Sequence, residues 1–132
     1  MGIGITKIGH VNVTVPAALE SNAIHFYGVV VGLQQIPKPK GTRQNVGAWY
    51  QLGELQLHLS TEDNVENETS DRHVCYQVAD VEAAERHFRN SSVEVIPDPR
   101  PVAGVKRFYV RDPGGNLLEI AQGVQKKDPK DD

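Results

Sequence analysis

The sequence predicts an α+β protein built from two βαβββ modules in tandem, and three observations predict it. The first is an internal repeat. His10-Val11-Asn12-Val13-Thr14-Val15 returns as His73-Val74-Cys75-Tyr76-Gln77-Val78, His25-Phe26 as His87-Phe88, and Ile36-Pro37-Lys38-Pro39 as Ile96-Pro97-Asp98-Pro99. Each half then reaches an aromatic pair, Trp49-Tyr50 or Phe108-Tyr109, followed by an apolar strand. The second is a switch of apolar period, from two to helical and back, inside each copy. The third is size: 132 residues, 39% hydrophobic and 23% charged, suit one globular domain rather than two or a disordered chain.

The elements follow in order. Val11, Val13 and Val15 alternate with polar residues as in a half-buried strand, which Pro16 ends. Leu19, Ala23, Phe26 or Tyr27, and Val30 recur at helical spacing, and Gly32 stops the helix. Ile36-Pro37 opens the next extended piece, and strands over 46–52 and 54–60 meet at Gly53 as a hairpin. In the second copy a strand over 73–78 precedes Asp80, a helix N-cap, and Val81, Ala84 and Phe88 on one helical face. Strands are expected over 93–96, 105–111 and 117–121, the last two joined by the turn Asp112-Pro113-Gly114-Gly115-Asn116. Residues 1–125 therefore read as a single domain, with module one about 5–60 and module two about 72–122. Residues 61–71 carry five acidic side chains and no basic one and are expected to be a polar linker. The charged tail 126–132 is expected to fray.

Composition excludes several functions. A net charge of −3 gives no general electrostatic reason to bind nucleic acid. No apolar run approaches the ~20 residues of a membrane helix, and the first residues lack the basic-then-apolar pattern of a secretory signal. A cytoplasmic location is expected. Cys75 is the only cysteine, so neither an internal disulfide nor a thiolate zinc site can form.

The repeat also aligns four polar residues. His10 and His73 begin the first strand of each copy, and His58 and Glu119 sit in the last strand of each. Alternation puts Leu55, Leu57 and Leu59 on one face and His58 on the other, and separates Glu119 from Leu118 and Ile120 in the same way. A merely solvated face has no reason to repeat. Three imidazoles and a carboxylate form a ligand set for one divalent metal per site, drawn from Zn, Ni, Mn or Fe. His25 and His87 also repeat, but beside core Phe residues, where packing is the expected role.

These features resemble the vicinal oxygen chelate superfamily, which holds glyoxalase I, bleomycin-resistance proteins, fosfomycin-resistance enzymes and extradiol dioxygenases. The most specific stretch runs from Arg107-Phe108-Tyr109-Val110-Arg111-Asp112-Pro113-Gly114-Gly115-Asn116 to Leu117-Leu118-Glu119-Ile120, similar to the family's closing hairpin with its metal-binding Glu. Ile8-Gly9-His10-Val11 and Phe26-Tyr27 through Gly32-Leu33 are similar to its other signatures. The resemblance implies the curved eight-stranded glyoxalase/bleomycin-resistance/dioxygenase fold, with His10, His58, His73 and Glu119 as metal ligands and Glu119 also as a catalytic base. It further implies a homodimer and a small-molecule substrate whose vicinal oxygens the metal chelates, in a lyase or isomerase reaction. One position departs from glyoxalase-type isomerases, which carry a carboxylate where this chain has His58. The set His10, His73 and Glu119 resembles instead the two-His-one-carboxylate arrangement of Fe(II) extradiol dioxygenases. A non-catalytic antibiotic-binding protein is the third reading the family allows.

Overall fold

The computed structural model describes residues 2–123, so the tail expected at 126–132 lies outside the described residues. The element order is β1 (His10–Val15), α1 (Glu20–His25), β2 (Gln34–Ile36), β3 (Ala48–Leu52), β4 (Leu55–Thr61), β5 (His73–Val78), α2 (Val81–Asn90), β6 (Ile96–Pro97), β7 (Lys106–Arg111) and β8 (Leu117–Gln122). This is βαβββ twice, the α+β pattern the repeat predicts. Each module forms its own four-stranded sheet, in the orders β1-β4-β3-β2 and β5-β8-β7-β6. In each, the first strand pairs parallel with the last, and the other pairings are antiparallel. The last strand, β4 or β8, is thereby interior, with neighbours on both sides. No helix among the described residues is long and apolar enough to cross a membrane.

Register corrects one detail of the repeat. Trp49 stands opposite His58 and Tyr109 opposite Glu119, so Trp49 corresponds to Tyr109 and not to Phe108. A slip of one residue would turn every side chain to the other face. The aromatic pairs are adjacent in sequence in both modules, but Tyr50 and Phe108 reach the cores from non-equivalent positions.

By contacts the chain divides into two units: residues up to Thr69 together with Asp112–Asn116, and Ser70–Arg111 together with the chain from Leu117. In the first unit Val15, Ala23, Phe26, Tyr27, Tyr50, Leu57 and Leu59 are buried. Each large apolar side chain in this set contributes about 1.5–3 kcal/mol by leaving water. Tyr50 donates from its hydroxyl to the Ile24 carbonyl at 3.2 Å, tying β3 to α1. The predicted first helix is not uniform. A short 3-10 turn (Ala17–Leu19) precedes α1, and a π turn (Phe26–Val30) follows it, which the Val31 N–H closes on the Phe26 carbonyl at 2.8 Å. In the second unit Tyr76, Val81, Phe88, Phe108, Val110, Leu118 and Ile120 are buried, and Phe88 meets Phe108 edge-on with centroids 6.0 Å apart. Asp80 caps α2 as expected, its Oδ1 accepting from the Ala83 N–H at 3.1 Å.

Other expectations are corrected. The strand expected over 46–52 begins only at Ala48, because Val46 closes a turn on the Arg43 carbonyl and Gly47 has φ +72°. The strand expected over 93–96 shrinks to Ile96–Pro97: Ser92 takes φ +61° and the Val93 N–H closes on the Phe88 carbonyl, so these residues end α2 instead. His25 and His87 are exposed, because the neighbouring Phe26 and Phe88 take the buried side of each helix.

Segment 61–71 is more ordered than its polarity suggests. Thr61 ends β4, a 3-10 turn spans Asn67–Thr69, and Asn67 is buried with its amide donating to the Thr14 and Gly114 carbonyls at 3.0 and 3.2 Å. Beside it lies Asp112, also buried. Its Oδ1 accepts from the Gly114 and Asn116 N–H groups at 2.9 Å, and its Oδ2 accepts from the Tyr27 hydroxyl at 2.6 Å and the Asn116 amide at 2.8 Å.

Candidate functional site

The four residues singled out by the repeat occupy matched registers. His58 on β4 has Asn12 as its β1 partner and Trp49 as its β3 partner. Glu119 on β8 has Cys75 and Tyr109 in the same places. His10 and His73 lie two residues before Asn12 and Cys75, on the same sheet face and one diagonal away, within reach of a long side chain.

In the first unit the imidazole of His58 lies between two rings. Trp49 stacks on it at 3.7 Å between centroids with planes 6° apart, and His10 stacks at 4.1 Å and 17°. A relay of amides determines its tautomer. Gln51 Nε2 donates to the Gly53 and Leu55 carbonyls at 2.6 and 3.4 Å, which leaves Gln51 Oε1 to accept from Gln56 Nε2 at 3.4 Å. Gln56 Oε1 then faces His58 Nε2 at 2.9 Å. Carbonyls only accept, so the assignment propagates: His58 carries its proton on Nε2, and Nδ1 keeps the lone pair. Burial, and after it the electrostatic influence of His10 and Lys38, hold the His58 pKa below the usual histidine value. A neutral imidazole with a bare nitrogen is the form that binds a metal.

In the second unit Glu119 is nearly buried and gathers four partners. Oε1 lies 3.3 Å from His73 Nε2, accepts from the Tyr109 hydroxyl at 3.2 Å and sits 3.8 Å from Arg107 Nη1. Oε2 accepts from the Cys75 thiol at 3.2 Å. Arg107 is itself held, donating from Nε to Asp98 Oδ2 at 2.8 Å and from Nη2 to the Arg100 carbonyl at 3.0 Å. Partial desolvation, then the hydrogen bond to Glu119 and its negative charge, push the Cys75 thiol up to about 11. Desolvation and the Glu119 charge likewise raise Tyr109 above the usual phenol value. Both groups stay protonated at neutral pH and act as donors to the carboxylate.

His73 turns its two ring nitrogens to different partners. Its Nδ1 lies 2.8 Å from the Asp71 carbonyl, an acceptor, so Nδ1 carries a proton. Nε2 then faces a carboxylate oxygen, and two lone pairs at that distance repel. A metal ion held by both atoms would relieve that repulsion. An imidazole that ligates through one nitrogen while the other donates to a backbone carbonyl is the usual support of a metal-binding histidine. The donor chemistry therefore fits a divalent metal pair by pair: His10 with His58, His73 with Glu119. Among the described residues no three His, Cys, Asp or Glu side chains form a metal-holding cluster.

Trp49, Gln51, Gln56, Cys75 and Arg107 were not among the residues expected at the site. For Trp49, Gln51, Cys75 and Arg107 the signal is register, each being a cross-strand or diagonal neighbour of His58 or Glu119, readable only once pairing is known. Gln56 precedes His58 by two residues on β4, so alternation alone puts it on the same face.

The comparisons with known proteins agree with this architecture. No curated protein matches the chain. A solved glyoxalase family protein from Bacillus anthracis is 33% identical, with a TM-score of 0.81, over 93% of this chain and 99% of that one. Lactoylglutathione lyase from Agrobacterium tumefaciens is 22% identical with a TM-score of 0.69, over 90% and 95% of the two chains. An antibiotic-binding protein from Streptomyces is 19% identical with the same TM-score, over 91% and 98%. At such identities the last two share the fold alone. Residues 7–120 match the family model as well, and the chain belongs to the Glyoxalase/Bleomycin resistance protein/Dioxygenase superfamily.

Proposed function

We propose that the chain is a metal-dependent enzyme of the lyase or isomerase type, acting on a small substrate with neighbouring oxygens, with His10, His58, His73 and Glu119 as ligands. The observation that supports the reading is the His73–Glu119 pair. In it Nδ1 faces the Asp71 carbonyl, and Nε2 and a carboxylate oxygen face each other at 3.3 Å, a donor set that suits a metal ion. A divalent metal bound there supplies Lewis acidity toward substrate oxygens. The chain's own groups do the rest. His58 stays neutral under Trp49, and the Gln51–Gln56 relay keeps its Nδ1 available. Tyr109 and Cys75 orient the Glu119 carboxylate, and Glu119 is the base that holds a substrate proton on Oε1 or Oε2. His58 in place of a second carboxylate leaves Glu119 as the sole anionic ligand of the four.

Melting with added Zn(II), against chelator-treated protein, tests the reading. Metal bound only by the folded state stabilises by about 2.7 kcal/mol at a hundredfold excess over Kd. Glu119→Gln keeps the shape and removes the charge, so most of that gap should vanish. Equal shifts in the two proteins would rule out Glu119 as a ligand.

A further inference from the structure

We propose that Arg107 is a built-in competitor for the metal-binding oxygen of Glu119, and that Asp98 is the positioning residue that holds it off. The competition rests on the reading of Glu119 as a metal ligand and adds a control on that same residue. Three side chains of the second unit take part, and each is largely removed from water. Asp98, Glu119 and Arg107 are 11%, 12% and 20% exposed. Charges so placed are screened less than a surface pair, so it matters which carboxylate the guanidinium joins.

The contested atom is Glu119 Oε1. It already accepts from the Tyr109 hydroxyl at 3.2 Å and lies 3.3 Å from His73 Nε2. Arg107 Nη1 stands 3.8 Å from the same oxygen, inside ion-pair range but beyond hydrogen-bond length. Two other nitrogens keep it there. Nε donates to Asp98 Oδ2 at 2.8 Å, and Nη2 donates to the Arg100 carbonyl at 3.0 Å. Asp98 is fixed in turn, since its Oδ1 accepts from the Arg100 N–H at 2.9 Å. A charge-assisted contact at about 2.8 Å needs Nη1 to advance by only about 1 Å. That closure would give Oε1 a cation of the chain's own, on the oxygen that faces His73 in the proposed donor pair. With Asp98 in place the Arg107 charge is balanced, and Glu119 remains the anion that is open to a cation.

Module one has neither half of this device. Ile96 stands opposite Tyr109 as Ile36 stands opposite Trp49, so Asp98 corresponds to Lys38 and Arg107 to Gly47. Lys38 donates to the Arg43 and Val46 carbonyls, and Gly47 has no side chain to offer. The residue beside them is His58, held neutral, toward which a guanidinium is not drawn. A cation within reach of the ligand, with an anion to restrain it, belongs to the module whose ligand is a carboxylate.

The test uses the full chain, stripped of metal by chelator and dialysed, as wild type, Asp98→Asn, Arg107→Gln and the double variant. Asp98→Asn keeps an Oδ1 for the Arg100 N–H but turns an amide donor toward Arg107 Nε, so it releases the guanidinium with little change of shape. NMR of the metal-free proteins reads the movement. In Asp98→Asn the Arg107 Nε–H signal and the Glu119 carboxyl carbon should both shift. In the double variant the Glu119 carbon should return to its position in Arg107→Gln. Calorimetric titration with Zn(II) reads the competition. Asp98→Asn should weaken Zn(II) by about fivefold or more. Arg107→Gln should bind no more weakly than the wild type, and the double variant should match it. A merely structural role for Asp98 would leave the double variant as weak as Asp98→Asn. Asp98→Ala should repeat the Asp98→Asn result, so the outcome does not hang on one replacement. A Glu119 signal indifferent to Asp98→Asn, an unaltered Zn(II) affinity, or a double variant that stays weak overturns the competition alone. Absence of Zn(II) binding by the wild type overturns the metal reading, and the competition falls with it.

Discussion

His58 and Glu119 occupy the same position of the repeat with side chains of different chemistry. Each stands on the interior strand of its sheet, opposite an aromatic side chain, Trp49 or Tyr109. Each lies one diagonal from a histidine at the start of the module. Module one surrounds its residue with flat rings, which suit a neutral imidazole. Module two surrounds its residue with donors, Tyr109, Cys75 and Arg107, which suit a carboxylate. The two modules share one framework, and in each the neighbours match the charge of the residue they surround.

Tyr27→Phe should destabilise the first unit measurably. The hydroxyl gives a 2.6 Å bond to the buried Asp112 carboxylate, and a hydrogen bond to a charged group contributes about 1.5–3 kcal/mol. Urea unfolding should show a loss in that range with an unchanged slope. A loss below about 0.5 kcal/mol would mean that the three remaining donors to Asp112 satisfy it alone.

Gly47→Ala should be far more costly than Gly41→Ala. Both glycines have positive φ, but a Cβ at Gly47 would lie 1.8 Å from the Leu59 carbonyl oxygen, while one at Gly41 meets nothing within 4 Å. The left-handed backbone alone costs about 1–2 kcal/mol; displacing β3 from β4 should bring Gly47→Ala to about 3 kcal/mol or more. Similar midpoints for the two variants would show that β3 can shift freely against β4.

Asp98→Asn should flatten the acid side of the stability profile. The Arg107 hydrogen bond, ahead of the other contributions, holds the Asp98 carboxyl below the usual carboxylate value. A carboxylate depressed in the folded state stabilises above its unfolded pKa of ~4, and that contribution is lost as pH falls through the folded value. The wild-type advantage over Asp98→Asn should therefore be constant from neutral pH down to about pH 5 and shrink below about pH 4. Urea midpoints across that range decide it, and a difference independent of pH would remove the ion pair from the account.

Much of the framework was legible because the chain is written twice. Matching His10 to His73 and His58 to Glu119 required only order and alternation, and both pairs occupy equivalent registers. The aromatic pairs misled, since adjacency in sequence does not reveal which member faces which strand, and the one-residue difference between Phe108 and Tyr109 decides it. Asn67 was read as linker because an Asn among acidic residues gives no sign that its amide will satisfy the Thr14 and Gly114 carbonyls. The amide relay to His58 was invisible for a similar reason: Gln51, Gly53 and Gln56 look like a polar hairpin until pairing sets their distances. Long-range hydrogen bonding, unlike periodicity, leaves no local trace.

Trp49 offers the most direct view of the site, because it is the only tryptophan in the chain and lies flat on His58. Its emission reports what happens to that ring. If His58 is a metal ligand, Ni(II), which quenches indole at short range, should reduce Trp49 emission saturably as the metal binds. Glu119→Gln should move the midpoint of that titration at least tenfold upward, a loss of about 1.4 kcal/mol or more, without changing the emission of the metal-free protein. His58→Ala should alter the starting emission by unstacking the indole, and should also weaken the quenching. Gln56→Leu tests the relay separately: with Oε1 gone, His58 loses the partner that keeps the proton on Nε2. Its ring nitrogen shifts should then show both tautomers, and its metal affinity should fall less than that of Glu119→Gln. The packing alternative makes a different forecast. If His58 only fills space under Trp49, Ni(II) should quench no more than it quenches free tryptophan amide, and Glu119→Gln should leave the curve in place. That result would remove His58 and Glu119 from the proposed ligand set.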